Sequence, residues 1–307
     1  MGTPEFAVPC LEKLLEAGYD IVGVITAPDK PAGRGKKLKM SAVKEFALSK
    51  NLNILQPTNL KNADFQAELK ALEADIQVVV AFRMLPEAVW NMPPLGSINL
   101  HASLLPNYRG AAPINWAIIN GEKETGVSTF FLQHEIDTGK IIFREKVAIK
   151  EDDYLDVIYE KLMTVGAQLI VKTVNAVNSG EYPQEAQDHI TDIKHAPKIF
   201  KETCKIDWNA TMTKTYNLIR GLSPYPAAWT TLYNDDDITT IKIYKVEMVE
   251  ENHQHITGKL IFDKHEMKVT VPNGYIKLLE IQLSGKRRLD IKSALNGLKL
   301  SPNAYLA

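Results

Sequence analysis

Cysteine is almost missing from this chain. Its two cysteines, Cys10 and Cys204, stand far apart in 307 residues, which excludes a disulfide framework and fits a reducing compartment. Long apolar runs are missing too. The longest, such as 76–82, fall well short of the roughly 20 residues that a membrane-spanning helix needs. The opening Met1-Gly2-Thr3-Pro4-Glu5 has neither the basic start nor the apolar core of a secretory signal, so a cytoplasmic protein is expected. An excess of either charge is lacking as well. With a net charge of −1 the chain is no polycation, and any nucleic-acid surface must be local. Nor is there a Gly-x-Gly-x-x-Gly dinucleotide fingerprint or the Gly-x-Ser-x-Gly of a serine hydrolase. Gly33-x-Gly35 has no Gly-Lys-Ser/Thr behind it, which excludes a P-loop. The seven histidines are scattered, and no metal is expected.

What is present is the composition of a soluble globular protein, 45% hydrophobic and 24% charged, long enough for one large domain or two. Up to residue 180, amphipathic segments (6–17, 41–49, 62–72, 113–120, 154–177) alternate with short strand-like runs (21–26, 52–56, 76–81, 95–100, 127–132, 141–149). That alternation predicts an α/β domain, a mostly parallel, Rossmann-like sheet with helices on both faces. Residues 181–197 are polar and Pro-punctuated, and read as a linker. Beyond 198 one helix, 212–221, precedes runs at 228–232, 239–249, 257–262, 267–271 and 274–282, the spacing of a small all-β barrel. A doubly wound domain normally begins with a strand, yet residues 2–6 read as the loop that should follow one. A short strand ahead of Met1 is therefore an expectation.

Asn99 and His101 end the apolar run at 95–100, two apart and so on one face of a strand. Polar groups on a buried strand need partners, because burying them unpaired costs about 2–7 kcal/mol. A satisfied internal network is one explanation. The company of Ser103-Leu104-Leu105-Pro106, of Arg109-Gly110-Ala111-Ala112-Pro113 and of Asp137-Thr138-Gly139 favours chemistry instead.

Together with Gly2-Thr3-Pro4-Glu5-Phe6, residues 28–37, Ala196-Pro197-Lys198-Ile199, residues 219–226 and residues 282–288, these motifs resemble the methionyl-tRNA formyltransferases, a family of folate-dependent formyl-transfer enzymes. The likeness spans nearly the whole chain. The element from His101 to Pro106 is shared among folate-dependent formyltransferases and marks the chemistry, whereas the basic loop and the C-terminal domain mark the substrate.

The resemblance implies transfer of a formyl group from 10-formyltetrahydrofolate to the α-amine of methionyl initiator tRNA by direct attack, with Asn99, His101 and Asp137 as catalytic residues. Asn99 and His101 would donate to the forming oxyanion, and Asp137 would orient or charge the imidazole. For folate it points to Ser103, which reads as a loop-capping residue as well, to Leu104, Leu105 and Pro106, and to Phe82, Arg83 and Leu85 after the 76–81 strand. Phe82 and Leu85 read equally well as core. For tRNA it points to Arg34, Lys36, Lys37 and Lys39 in a Pro- and Gly-rich loop, and to Lys286, Arg287 and Arg288 in a barrel resembling an OB-fold. It further implies a monomer with no stable protein partner and no membrane association. The alternative is a folate-dependent formyltransferase acting on an amino sugar nucleotide.

Overall fold

The run of β-branched residues before Ala81 forms the Gln77–Val80 strand, paired in parallel with Ser97–His101. Ser97–His101 in turn pairs antiparallel with Glu124–Phe131, and Ile141–Ala148 completes this four-stranded sheet. A second parallel pair, Val24–Ile25 with Ile54–Leu55, lies on the other side of Met1 and Gly2. Gly2 links the two sheets: its N–H donates to Ile25 O at 3.0 Å, and it bridges Val80 in parallel. The computed structural model describes residues 1–32, 37–187 and 192–307. These fold as two compact units, one of 1–110, 125–148 and 159–195, the other of 111–124, 149–158 and 196–307.

Helices in the first unit start where short polar side chains can take an orphan amide. Ser41 Oγ accepts from Lys44 N and Asn62 Oδ1 from Phe65 N, each at 3.0 Å, opening Ala42–Ser49 and Ala63–Ala71. The longest helix, Leu155–Ser179, buries Leu162, Ala167, Leu169, Ile170, Val174 and Val177 at helical spacing. Its Gly166 lies so close to Leu100 that an added Cβ would meet Leu100 Cδ2 at 2.8 Å. Leu100 therefore packs on this helix, and strand alternation turns Asn99 and His101 to the opposite face.

The expected strand at 21–26 is confined to Val24–Ile25. Either side of the basic stretch, Lys30–Ala32 pairs antiparallel with Lys37–Lys39, while residues 33–36, expected to be irregular, lie outside the described residues. Asp29 anchors the base of this pair, accepting from Lys44 Nζ at 2.6 Å and Gln56 Nε2 at 2.9 Å. Lys44 holds its carboxyl below the usual range.

In the second unit an antiparallel sheet runs Leu260–Phe262, Met267–Val271, Gly274–Leu283, Asp237–Val249, Ala228–Asn234, Tyr305–Leu306. A bridge from Lys259 to Tyr305 joins the first strand to the last, closing the sheet into a barrel. Register shifts between Ile243 and Val246 mark a bulge in the longest strand, the kind of irregularity that bends a strand round such a barrel. Ile219 and Leu222 of the Met212–Leu222 helix, with Ile241, Ile276 and Leu278, fill its core. Among the described residues no helix is long and apolar enough to cross a membrane.

Candidate active site

Strands Val24–Ile25, Gln77–Val80 and Ser97–His101 run in parallel or are joined through Gly2, so their C-terminal ends leave one edge of the first unit. From that edge emerge the basic stretch, the 81–86 loop and the loop after His101. Ligands of open α/β sheets bind at such edges, outside the carboxyl ends of the strands.

His101 ends its strand with its side chain 8% exposed. Nε2 lies 2.8 Å from the main-chain oxygen of Tyr108. A carbonyl oxygen only accepts, so Nε2 donates, and the proton of a neutral ring is fixed there. The free nitrogen, Nδ1, faces Asp137 Oδ2 at 3.9 Å. That separation is beyond a hydrogen bond, with both groups almost fully buried. Asn99 precedes His101 by two residues and is half-buried; among the described residues nothing hydrogen-bonds its amide. The site thus presents an uncommitted amide N–H2 and an imidazole nitrogen beside a carboxylate.

Two loops hold the imidazole and the carboxylate. Tyr108 and Asp137 both adopt left-handed backbone, at φ +61° and +56°, and Gly110 lies at φ +122°. Gly110 N donates to Asp137 Oδ2 at 3.1 Å, binding one loop to the other. Asp137-Thr138-Gly139 needs its glycine: a Cβ at Gly139 would lie 1.6 Å from Phe131 O. The loop after His101 is equally tied. Ser103 Oγ donates to Asn107 O and Ser128 Oγ to Ser103 O, both at 2.7 Å, while Ser128 Oγ accepts from Leu105 N at 3.1 Å.

Not every residue expected at the site offers a free surface. Ser103 is fully buried with its hydroxyl engaged, and Leu105 packs with Phe130 and Ile141. Leu104 lies over Gly126, where an added Cβ would meet its Cδ2 at 2.4 Å, and Pro106 is half-buried. Leu85 belongs to the core around Val79 and Val89, and Phe82 packs partly against it. Arg83 is exposed and donates to Pro57 O and, at 3.0 Å, to Thr58 O. Arg34 and Lys36 lie outside the described residues, Lys37 begins the Lys37–Lys39 strand, and Lys39 is exposed. In the second unit Lys286 and Arg287 are exposed, whereas Arg288 is bound to Glu280 at 2.5 and 2.6 Å and stacks over Tyr244 at 4.2 Å.

Sequence reasoning missed the residues that brace the site. Gln187, in the segment read as a linker, donates to Asp137 O at 2.9 Å and Gly139 O at 2.7 Å, and accepts from Arg109 Nη2 at 2.8 Å. Two residues earlier, Glu185 pairs with Ile141 and accepts two bonds from Arg144, which hold its carboxyl below the ordinary range. The spacing of Glu185 and Gln187, two apart as on one side of an extended segment, was the only available signal. Among the described residues no group of three or more His, Cys, Asp or Glu side chains could hold a metal ion.

Comparison with known proteins gives the family of the chain. Residues 1–174 match the family model for formyl transferases and residues 198–299 that for the formyl transferase C-terminal domain. The chain is 54% identical over 304 residues to a methionyl-tRNA formyltransferase of Flavobacterium johnsoniae, covering 99% of this chain and 96% of that relative. It is 53% identical over 306 residues to the methionyl-tRNA formyltransferase of Bacteroides thetaiotaomicron, covering 98% and 95%. Among solved structures, the sugar 3N-formyltransferase WlaRD, determined with dTDP and 5-N-formyl-THF, shares the fold at 21% identity. The TM-score is 0.66, with 93% of this chain and 97% of that one covered.

Proposed function

The chain belongs to the formyl transferase family, and from that premise we propose that it moves the formyl group of 10-formyltetrahydrofolate onto the α-amine of methionyl initiator tRNA. The observation that carries the catalytic part is the buried His101, its Nε2 committed to Tyr108 O and its Nδ1 facing Asp137 across 3.9 Å.

Attack of the amine forms a C–N bond and drives negative charge onto the formyl oxygen. Asn99 donates an amide N–H to that oxygen, a donor placed where charge develops and not where it already exists. His101 donates to the same oxygen from Nδ1, because its other nitrogen is spent on Tyr108. Donation from Nδ1 requires the doubly protonated ring, and Asp137 holds that charge. As the intermediate collapses, the bond to the folate nitrogen breaks and that nitrogen takes a proton. The proton lost by the attacking amine leaves through Asp137 or a water beside it. No side chain bonds covalently to the formyl carbon.

On this reading the pterin lies against the 81–86 loop and the Ser103–Pro106 segment, Phe82 and Arg83 being its nearest surface groups. The acceptor end of the tRNA is drawn in by Arg34, Lys36, Lys37 and Lys39. Lys286, Arg287 and Arg288 meet phosphates on the barrel, Arg288 less freely than the other two because Glu280 neutralises it. The enzyme works as a monomer in the cytoplasm.

Incubation with 10-formyltetrahydrofolate and three acceptors in parallel tests the reading. Methionyl initiator tRNA is expected to take up the formyl group. Uptake only by an amino sugar nucleotide or by glycinamide ribonucleotide would overturn it.

A further inference from the structure

The polar segment that follows the Leu155–Ser179 helix grips both loops of the site. Its Gln187 is half-buried, with both ends of its amide engaged. Nε2 donates to Asp137 O at 2.9 Å and to Gly139 O at 2.7 Å, the carbonyls of the residues on either side of Thr138. Oε1 accepts from Arg109 Nε at 3.2 Å and from Arg109 Nη2 at 2.8 Å. These partners settle which way the amide points. A flipped amide would set its N–H2 against guanidinium donors and its oxygen against two carbonyls. The same segment reaches the other loop, where Lys194 O accepts from Tyr108 N at 2.5 Å. Three consecutive residues of that loop thus serve three partners. Tyr108 O holds His101, Arg109 holds Gln187, and Gly110 N holds the Asp137 carboxylate.

We infer that Gln187 is a positioning residue for formyl transfer: the two bonds it donates hold the Asp137 turn where the carboxylate faces His101 Nδ1. The inference rests on the catalytic reading of Asp137 given above. The turn needs a brace from outside. Asp137 is a non-glycine residue at φ +56°, a backbone conformation that persists only where its surroundings impose it. Thr138 Oγ1 bonds inside the loop, accepting from Gln133 Nε2 at 2.6 Å and donating to Glu135 O at 3.1 Å, which ties the turn to itself. Gly110 N fixes one carboxylate oxygen, while the peptide planes on both sides of Thr138 are set through Gln187. A catalytic group misplaced by about 1 Å can cost about a hundredfold in rate.

Glutamate at this position separates donation from simpler roles. It has the length of glutamine and accepts from Arg109 at least as strongly, since charge assists the bond. An ionised carboxylate carries no N–H, so both carbonyls lose their donor. Filling space and anchoring Arg109 survive the change. Bracing the turn does not.

The test reads single-turnover formylation of methionyl initiator tRNA, the KM for each substrate and Tm in Gln187→Glu and Gln187→Ala, each alone and combined with Asp137→Asn. Both single variants are expected to melt within about 5 °C of the parent and to react at least about tenfold more slowly at unchanged KM. Combined with Asp137→Asn, either should add less than about threefold, because the carboxylate it positions is gone. Gln187→Glu within about threefold of the parent, while Asp137→Asn alone is slow, overturns the inference and leaves the catalytic reading standing. So does an equal loss with and without the carboxylate, or a raised KM at the parental rate. Asp137→Asn at the parental rate overturns both. Should Gln187→Ala not fold, Gln187→Glu decides by the same readings, and failure of both to fold overturns the inference in favour of a structural brace.

Discussion

Replacing Asp137 by Asn isolates the part that charge plays at the site. Asn is nearly isosteric, and its Oδ1 can still accept from Gly110 N, so the loop keeps the bond now made at 3.1 Å. What disappears is the carboxylate 3.9 Å from His101 Nδ1. Two unit charges at that distance, at an effective dielectric constant near 20, interact by about 4 kcal/mol. Both side chains are about nine-tenths buried, which keeps screening by solvent small. At 1.4 kcal/mol per factor of ten, the ceiling on the effect is about a thousandfold in rate. Asp137→Asn is therefore expected to lower single-turnover formylation of methionyl-tRNA by about a hundred- to a thousandfold, with little change in the KM for either substrate. Since Asp137 acts largely through His101, the losses in the double variant with His101→Ala should be clearly less than additive. A single variant within threefold of the parent, or strictly additive losses in the double, would refute the reasoning.

Asn99→Ala is expected to fold normally and to lose about a hundredfold or more in kcat, the cost of one oxyanion donor; near-normal turnover would remove Asn99 from the mechanism. Gly139→Ala forces a Cβ into Phe131 O and should destabilise the protein by about 2 kcal/mol or more in urea unfolding, lowering kcat with it. Substituting Arg34, Lys36 and Lys37 together by Gln should raise the KM for tRNA and flatten its dependence on salt, and an unchanged salt slope would deny the basic stretch a role in binding.

How much of this was legible beforehand follows from what each residue depends on. Asn99 and His101 could be assigned to one face because strand alternation has a period of two whatever the tertiary context. Asp137-Thr138-Gly139 stood out as a motif, but its reason, the lack of room beside Phe131, needed coordinates. Leu105 was open to misreading, because an apolar residue at a loop that carries chemistry serves core or ligand equally well by type; here it packs with Phe130 and Ile141. The partner of His101 Nε2 is a main-chain carbonyl, for which side-chain identity carries no signal. Gln187 sits in a polar segment where its two-residue spacing from Glu185 names no partner, so its bonds to the Asp137 loop needed coordinates. Pro31 suggested irregular chain, yet Lys30–Ala32 pairs with Lys37–Lys39, a pairing made through backbone alone.

The most direct measurement is a crystal structure with 5-formyltetrahydrofolate, a donor analogue that does not transfer its group to the amine. The account predicts electron density for the ligand at the carboxyl end of the Ser97–His101 strand, the formyl oxygen within hydrogen-bond reach of Asn99 Nδ2 and His101 Nδ1. A folate bound elsewhere, or a formyl oxygen that neither side chain can reach, would contradict it.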